Sequence, residues 1–97
     1  MIKVRDVFHC KYGKGGELAA LFKEVSPLFA RHGYNPPKVM ADLSGQFFTI
    51  VTEYDFDSMT QWYEASRKLF ALPEFGPWFQ KMVPLVEDGS REFYEYQ

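Results

Sequence analysis

The chain is poor in the residues that make metal and redox sites. Among 97 residues it has one cysteine, Cys10, and two histidines, His9 and His32. A lone cysteine closes no internal disulfide, and neither C-x-x-C nor H-E-x-x-H spacing occurs, so no metal or other cofactor is expected and the compartment is expected to be the reducing cytoplasm. An excess of one charge is also missing: eleven basic and thirteen acidic residues are scattered along the chain, for a net charge of −2. Nucleic-acid binding needs a clustered basic surface, so no nucleic-acid partner is expected. No apolar run approaches the ~20 residues of a membrane span, and Met1-Ile2-Lys3 opens into a strand pattern rather than a signal peptide. No internal repeat appears, and this length supports one domain, residues 1–97.

Aromatic residues, by contrast, are abundant. Ten Phe, six Tyr and two Trp make 19% of the chain. A domain this small buries only roughly 60–65% of its unfolded surface, so some of these rings are expected to meet a ligand or a second subunit.

From Ile2 to Tyr12 the residues alternate. Ile2, Val4, Phe8, Cys10 and Tyr12 share one side of a strand with Asp6 interrupting them, while Lys3, Arg5, Val7, His9 and Lys11 share the other. Gly13-Lys14-Gly15-Gly16 breaks the strand. It precedes a helix but lacks the G-x-x-x-x-G-K-[ST] order of a phosphate loop, so it reads as a flexible turn. Leu18, Leu21, Phe22, Val25, Leu28 and Phe29 trace one stripe of a helix over Glu17–His32, with Pro27 predicting a kink or break near Lys23–Ser26 and Gly33 a C-cap. Val39–Leu43 and Gln46–Phe56 read as a hairpin around Ser44-Gly45. Met59, Trp62, Tyr63, Ser66, Leu69 and Phe70 form the stripe of a second helix, capped at Asp55–Ser58 and stopped by Pro73. Glu74–Val86, with Pro77 and Pro84, reads as an irregular helical turn, Asp88-Gly89-Ser90 as a turn, and Arg91–Tyr96 as the last strand.

The order is therefore strand, helix, strand, strand, helix, strand. Right-handed crossovers put both helices on one face of a four-stranded antiparallel sheet, an α+β, ferredoxin-like βαββαβ fold. In the long strand Phe48, Ile50, Thr52 and Tyr54 face one way and Phe47, Thr49, Val51 and Glu53 the other. Both faces carry apolar groups, so the face without helices is expected to be covered by the sheet of a second copy, making a homodimer; a C-terminal segment folded under the sheet is the alternative.

The element order, Tyr12-Gly13-Lys14 at the end of strand one, and Trp62 of helix two resemble the dimeric α/β-barrel superfamily. Pro73-Glu74-Phe75-Gly76-Pro77-Trp78 and Gly89-Ser90-Arg91-Glu92 look most like its NIPSNAP-type branch. The resemblance covers essentially the whole chain. It implies a pocket between sheet and helices inside each protomer and a dimer closed through the opposite sheet faces. Members range from cofactor-independent monooxygenases, polyketide cyclases and haem-degrading enzymes to proteins with no assigned activity, so fold alone leaves function open. The haem-degrading relatives take their iron ligand from a histidine of the second helix, and residues 57–86 contain none, so haem is not expected.

Asp6 is the candidate general base. If it points among Val4 and Phe8 it is a desolvated carboxylate in a pocket; otherwise it lies at the sheet edge or pairs with Arg5 or Arg91. In the haem-degrading relatives a polar residue of the first strand points into the pocket near this place. Trp62 and Trp78 are candidate ligand-binding walls or plain core, and Thr52 is a candidate polar orienter or simply a good strand former. His9 and Glu53 are read as sharing the outer face, either as a pair or as separate exposed groups, and His32 as answering the helix dipole. No serine or cysteine has the base and orienter of a nucleophile. Three functions follow: a NIPSNAP-type small-molecule-binding module, a cofactor-independent monooxygenase or cyclase-like enzyme acting on an aromatic substrate with Asp6 as base, or a structural dimer serving a partner chain.

Overall fold

A computed structural model describes every residue, Met1–Gln97. The elements in chain order are β1 (Ile2–Cys10), α1 (Gly15–Arg31), β2 (Lys38–Ala41), β3 (Thr49–Phe56), α2 (Met59–Phe70), α3 (Phe75–Met82) and β4 (Val86–Glu95), with one turn of 3₁₀-helix at Val83–Leu85 before β4. The strands form one antiparallel sheet in the order β2-β3-β1-β4, as expected for the ferredoxin-like fold, with α3 joining the two expected helices on one face. No helix is long and apolar enough to cross a membrane.

Helix α1 holds the core together. Its buried residues Leu18, Phe22, Val25 and Leu28 pack on Ile50, Cys10, Trp78 and Leu85. Leu18 and Ile50 are almost completely enclosed, each worth about 1.5–3 kcal/mol of apolar burial. The expected break at Pro27 is absent, since α1 runs unbroken through it. Proline removes one backbone donor, and burial of Val25 and Leu28 on either side offsets that loss. Gly33 ends the helix as expected, at φ +79°, with its N–H donated to the Ala30 carbonyl. Helix α2 starts at Ser58, whose hydroxyl accepts from the Gln61 N–H at 3.1 Å while the Gln61 side chain accepts from the Asp57 N–H, close to a capping box. The Glu74–Val86 segment is more regular than its prolines suggest. Pro77 sits in the first turn of α3, where no intrahelical donor is lost, and Pro84 falls in the 3₁₀ turn.

Two strand boundaries differ from the sequence reading. The hairpin is not a tight Ser44-Gly45 turn. Strand β2 ends at Ala41, β3 begins at Thr49, and residues 42–48 form a loop closed by Asp42, whose carboxylate accepts from the Thr49 N–H at 2.9 Å. Phe48 adopts φ +57°, which ends the strand alternation before Thr49, so Phe47 stands off the sheet, largely exposed. Asp88-Gly89-Ser90 is not a turn either. It is paired strand within β4, and Asp88 lies opposite His9 while Val86 lies opposite Cys10, which leaves Glu87 as the extra residue of a bulge. Glycine is required at position 89 for close approach, because a Cβ there would lie 2.3 Å from the Val7 carbonyl oxygen.

Candidate functional site

Register decides which side chains share the face under the helices. Asp6 lies opposite Thr52 on β3 and Arg91 on β4, and Val4 lies opposite Tyr54 and Phe93. This inward row carries the only buried charge of the core: Asp6 is 7% exposed. Arg91 meets it as a fork, with Nε donating to Oδ1 at 2.7 Å and Nη2 to Oδ2 at 3.1 Å. Of the two readings of Asp6, the structure combines both. The carboxylate points inward, and it pairs with Arg91. A bidentate pair of this kind is short, charge-assisted and directional. The Asp6 hydrogen bond holds Arg91 even more firmly protonated than usual.

Above the pair, between the sheet and the three helices, lies a cavity of about 150 Å³. Apart from Asp6, Arg91 and Ser66, its lining is apolar or aromatic. Trp62 from α2 lies edge-on to Phe93, and the Arg91 guanidinium lies 5.2 Å from the centre of its ring, a cation–π distance. Trp78 from α3 packs against Phe22 and Phe75, and its Nε1 donates to the Leu21 carbonyl of α1 at 2.8 Å. That bond ties α3 to α1 and fixes the indole as one wall.

Asp6, Trp62 and Trp78 are thus brought together on the cavity lining, but Thr52 is not among the lining residues. Tyr54, two residues along the same strand, occupies the wall instead. Burial pushes its phenol well above the usual tyrosine range, and the Asp6 carboxylate adds to the effect; the Thr52 hydroxyl opposes it slightly. Thr52 is fully enclosed and its hydroxyl closes no ordinary hydrogen bond. Tyr54 and Arg91 are the site residues that sequence reasoning passed over. Strand alternation places Tyr54 on the inward face without giving it a role, and Arg91 offers itself from sequence only as a partner for Asp6.

The other candidates separate from the cavity. His9 and Glu53 share the outer face but do not pair within the protomer. His9 Nδ1 lies 2.5 Å from Asp88 Oδ1, and Glu53 accepts from Lys3 Nζ at 3.1 Å. Register explains it, since His9 is opposite Thr49 and Asp88 while Glu53 is opposite Arg5 and Lys38. Cys10 is buried, and burial, with Asp42 nearby, pushes its thiol up, away from nucleophilic use. No group of three His, Cys, Asp or Glu side chains comes together.

The architecture is that of a ferredoxin-like α+β protein with a cavity between sheet and helices. Solved structures with this fold include an uncharacterized NIPSNAP domain protein from Burkholderia xenovorans, at TM-score 0.84 and 15% identity over 100% of this chain and 95% of that one. A NIPSNAP family protein from Agrobacterium tumefaciens matches at TM-score 0.85 and 14% identity, covering 99% of this chain and 92% of its own. A putative antibiotic biosynthesis monooxygenase from Deinococcus radiodurans matches at TM-score 0.69 and 19% identity, covering 100% and 93%. No family model matches the sequence, and no curated protein does. At these identities the likeness establishes the shared fold.

Proposed function

We propose that this chain is a small-molecule-binding protein of the NIPSNAP kind, with its ligand in the cavity between sheet and helices, acting as a homodimer closed through the opposite sheet face. One observation carries the reading: a buried Asp6 carboxylate held in a fork by the half-exposed Arg91, in the wall of a cavity that is otherwise almost wholly apolar. Burying a carboxylate, even a paired one, contributes less to stability than a well-packed apolar side chain would, so Asp6 beside open space calls for a role other than packing. Trp62 and Trp78 serve as walls, Asp6 as the anchor that orients Arg91, and Thr52 as a group behind the wall acting through Tyr54. The homodimer is supported by the row Met40–Val51–Val7 in register across the outer face, apolar residues that no helix covers.

The enzyme alternative, a monooxygenase or cyclase-like reaction on an aromatic substrate, draws on the monooxygenase among the fold neighbours. It needs Asp6 as base, and both Asp6 oxygens already accept bonds from Arg91. Such a carboxylate has to release one donor before it takes a proton, which favours binding over catalysis.

Native mass spectrometry of freshly purified protein tests the reading. A species at twice 11.4 kDa carrying a small-molecule adduct is expected, and a bare monomer contradicts it. Turnover of the released adduct in air by the wild type, and not by Asp6→Asn, would establish the enzyme alternative instead.

A further inference from the structure

We propose that the cavity takes a neutral, single-ring aromatic molecule bearing one carbonyl oxygen, its ring between the indoles of Trp62 and Trp78 and its oxygen turned to the Tyr54 hydroxyl and the free N–H groups of Arg91. This rests on the pocket reading above and narrows it to a ligand class.

Size sets the ring count. The cavity holds about 150 Å³, and a dry apolar cavity of about 150 Å³ accepts benzene. A fused polycycle asks for more room than this volume gives, and Trp78, pinned to α1 by its bond to Leu21, is held from yielding it. The lining sets the shape: Trp62, Phe75 and Trp78 offer flat faces and ring edges, which suit another flat ring.

Charge balance sets the ligand's charge. Asp6 and Arg91 already neutralise each other. An anionic ligand would add negative charge beside the buried Asp6 carboxylate, and a cationic one positive charge beside Arg91, and the apolar lining compensates neither.

The hydrogen-bond inventory sets the polar group. Arg91 has five N–H hydrogens and directs only two of its nitrogens, Nε and Nη2, at Asp6, so Nη1 carries donors without a protein partner. Tyr54 makes no hydrogen bond of ordinary geometry within the protein, and its raised pKa keeps the hydroxyl protonated as a donor. The buried, unpartnered Thr52 hydroxyl beside it can donate to the Tyr54 oxygen and so turn the phenolic hydrogen toward the cavity. The polar end of the cavity therefore has donors to spare at Tyr54 and Arg91, while each Asp6 oxygen already accepts one short bond from Arg91 and keeps only its second acceptor site. A ligand acceptor meets the unpartnered donors of Tyr54 and Arg91, whereas a ligand donor meets only a carboxylate already engaged by Arg91.

Both tryptophans of the chain lie on this wall, so the two indole N–H signals of a ¹H–¹⁵N spectrum report directly on occupancy. The folded protein is titrated with acetophenone, benzoate, toluene and, one ring larger, acetonaphthone. Acetophenone is expected to shift both indole signals saturably and to bind about fivefold more tightly than toluene, the worth of one hydrogen bond, and about tenfold or more tightly than benzoate or acetonaphthone. Tyr54→Phe keeps the ring and is expected to reduce the preference over toluene by severalfold, the remainder resting on Arg91, while toluene still binds. Thr52→Val, which keeps the side-chain shape, is expected to reduce the same preference by a smaller factor, so the assignment stays testable if Tyr54→Phe folds poorly. Toluene, benzoate or acetonaphthone binding as tightly as acetophenone, or a preference unchanged in both variants, overturns the ligand class and leaves the pocket standing. No indole shift with any of the four probes overturns both.

Discussion

The two faces of this sheet use ion pairs in opposite ways. On the outer face Lys38, Glu53, Arg5 and Glu92 stand in register across all four strands, alternating in sign. Lys3 reaches Glu53 at 3.1 Å and Asp55 at 3.7 Å, and Arg5 lies 4.0 Å from Glu92. These side chains are partly open to water, so screening limits each pair to about 0–1 kcal/mol and their use is in strand register and surface charge balance. The inner face has one pair, Asp6–Arg91, with better geometry, a buried carboxylate and aromatic rings around it. There the Asp6 carboxylate, without Arg91, would have little water to replace it. Surroundings rather than charge pattern separate a scaffold contact from a candidate site.

The largest effect that would break this comparison is Asp6→Ala. It strands the Arg91 guanidinium against Trp62 and is expected to cost about 2–3 kcal/mol in urea denaturation, below the full penalty for a buried pair because Arg91 is half-exposed. A cost no larger than that of an outer-face substitution would erase the distinction between the faces. Gly89→Ala is expected to cost about 1–3 kcal/mol through the clash with the Val7 carbonyl, and hydrogen exchange should show β4 loosening around residues 87–90 before the rest of the sheet.

Alkaline pH sharpens the contrast without removing an ion pair. Burial first, and Asp6 second, raise the Tyr54 phenol above the value of about 10 for an unfolded tyrosine. The unfolded chain therefore loses this proton first, so the contribution to stability is complete below pH ~10 and is lost as pH rises through the folded value. Lys3, raised by its contacts with Tyr96 and Glu53, shifts stability in the same direction from the outer face. Thermal melts between about pH 9 and pH 12 should decline less steeply for Tyr54→Phe than for wild type, with a smaller change for the more solvent-screened Lys3→Met. Identical slopes for Tyr54→Phe and wild type would contradict the buried, protonated phenol.

Thr52→Val should be neutral or stabilise by up to about 1 kcal/mol, since it removes a buried hydroxyl that closes no ordinary hydrogen bond and keeps the shape. Glu53→Gln on the outer face should change stability by less than about 0.5 kcal/mol, and the change should vanish in high salt.

Much of this was legible from periodicity. Alternation in β1 put Asp6 among Val4 and Phe8, and the helical stripes turned Trp62 and Leu69 inward. Arg91 was harder to assign. Asp88-Gly89-Ser90 has the composition of a turn, so β4 seemed to start at Arg91, and the bulge opposite His9 and Cys10 that sets its register depends on tertiary pairing. Phe47-Phe48 reads as strand because both are apolar, but the left-handed backbone at Phe48 ends the alternation and turns Phe47 off the sheet, while the Phe48 carbonyl still accepts from the Cys10 N–H. Thr52 faces inward as expected, but it is paired at the centre of the sheet with Asp6 and Val39, and the lining on β3 comes from Tyr54 and Phe56. Strand alternation assigns a face; it does not say which of two neighbours on that face reaches a cavity.

The central claim is that the space under the helices admits a guest. Crystals of the protein pressurised with xenon test it most directly, because xenon enters dry apolar cavities of about this size. A xenon peak between Trp62 and Trp78, displaced when acetophenone is present, is expected. Absence of xenon, with Trp62, Phe75 and Trp78 packed into the space it should fill, would contradict it.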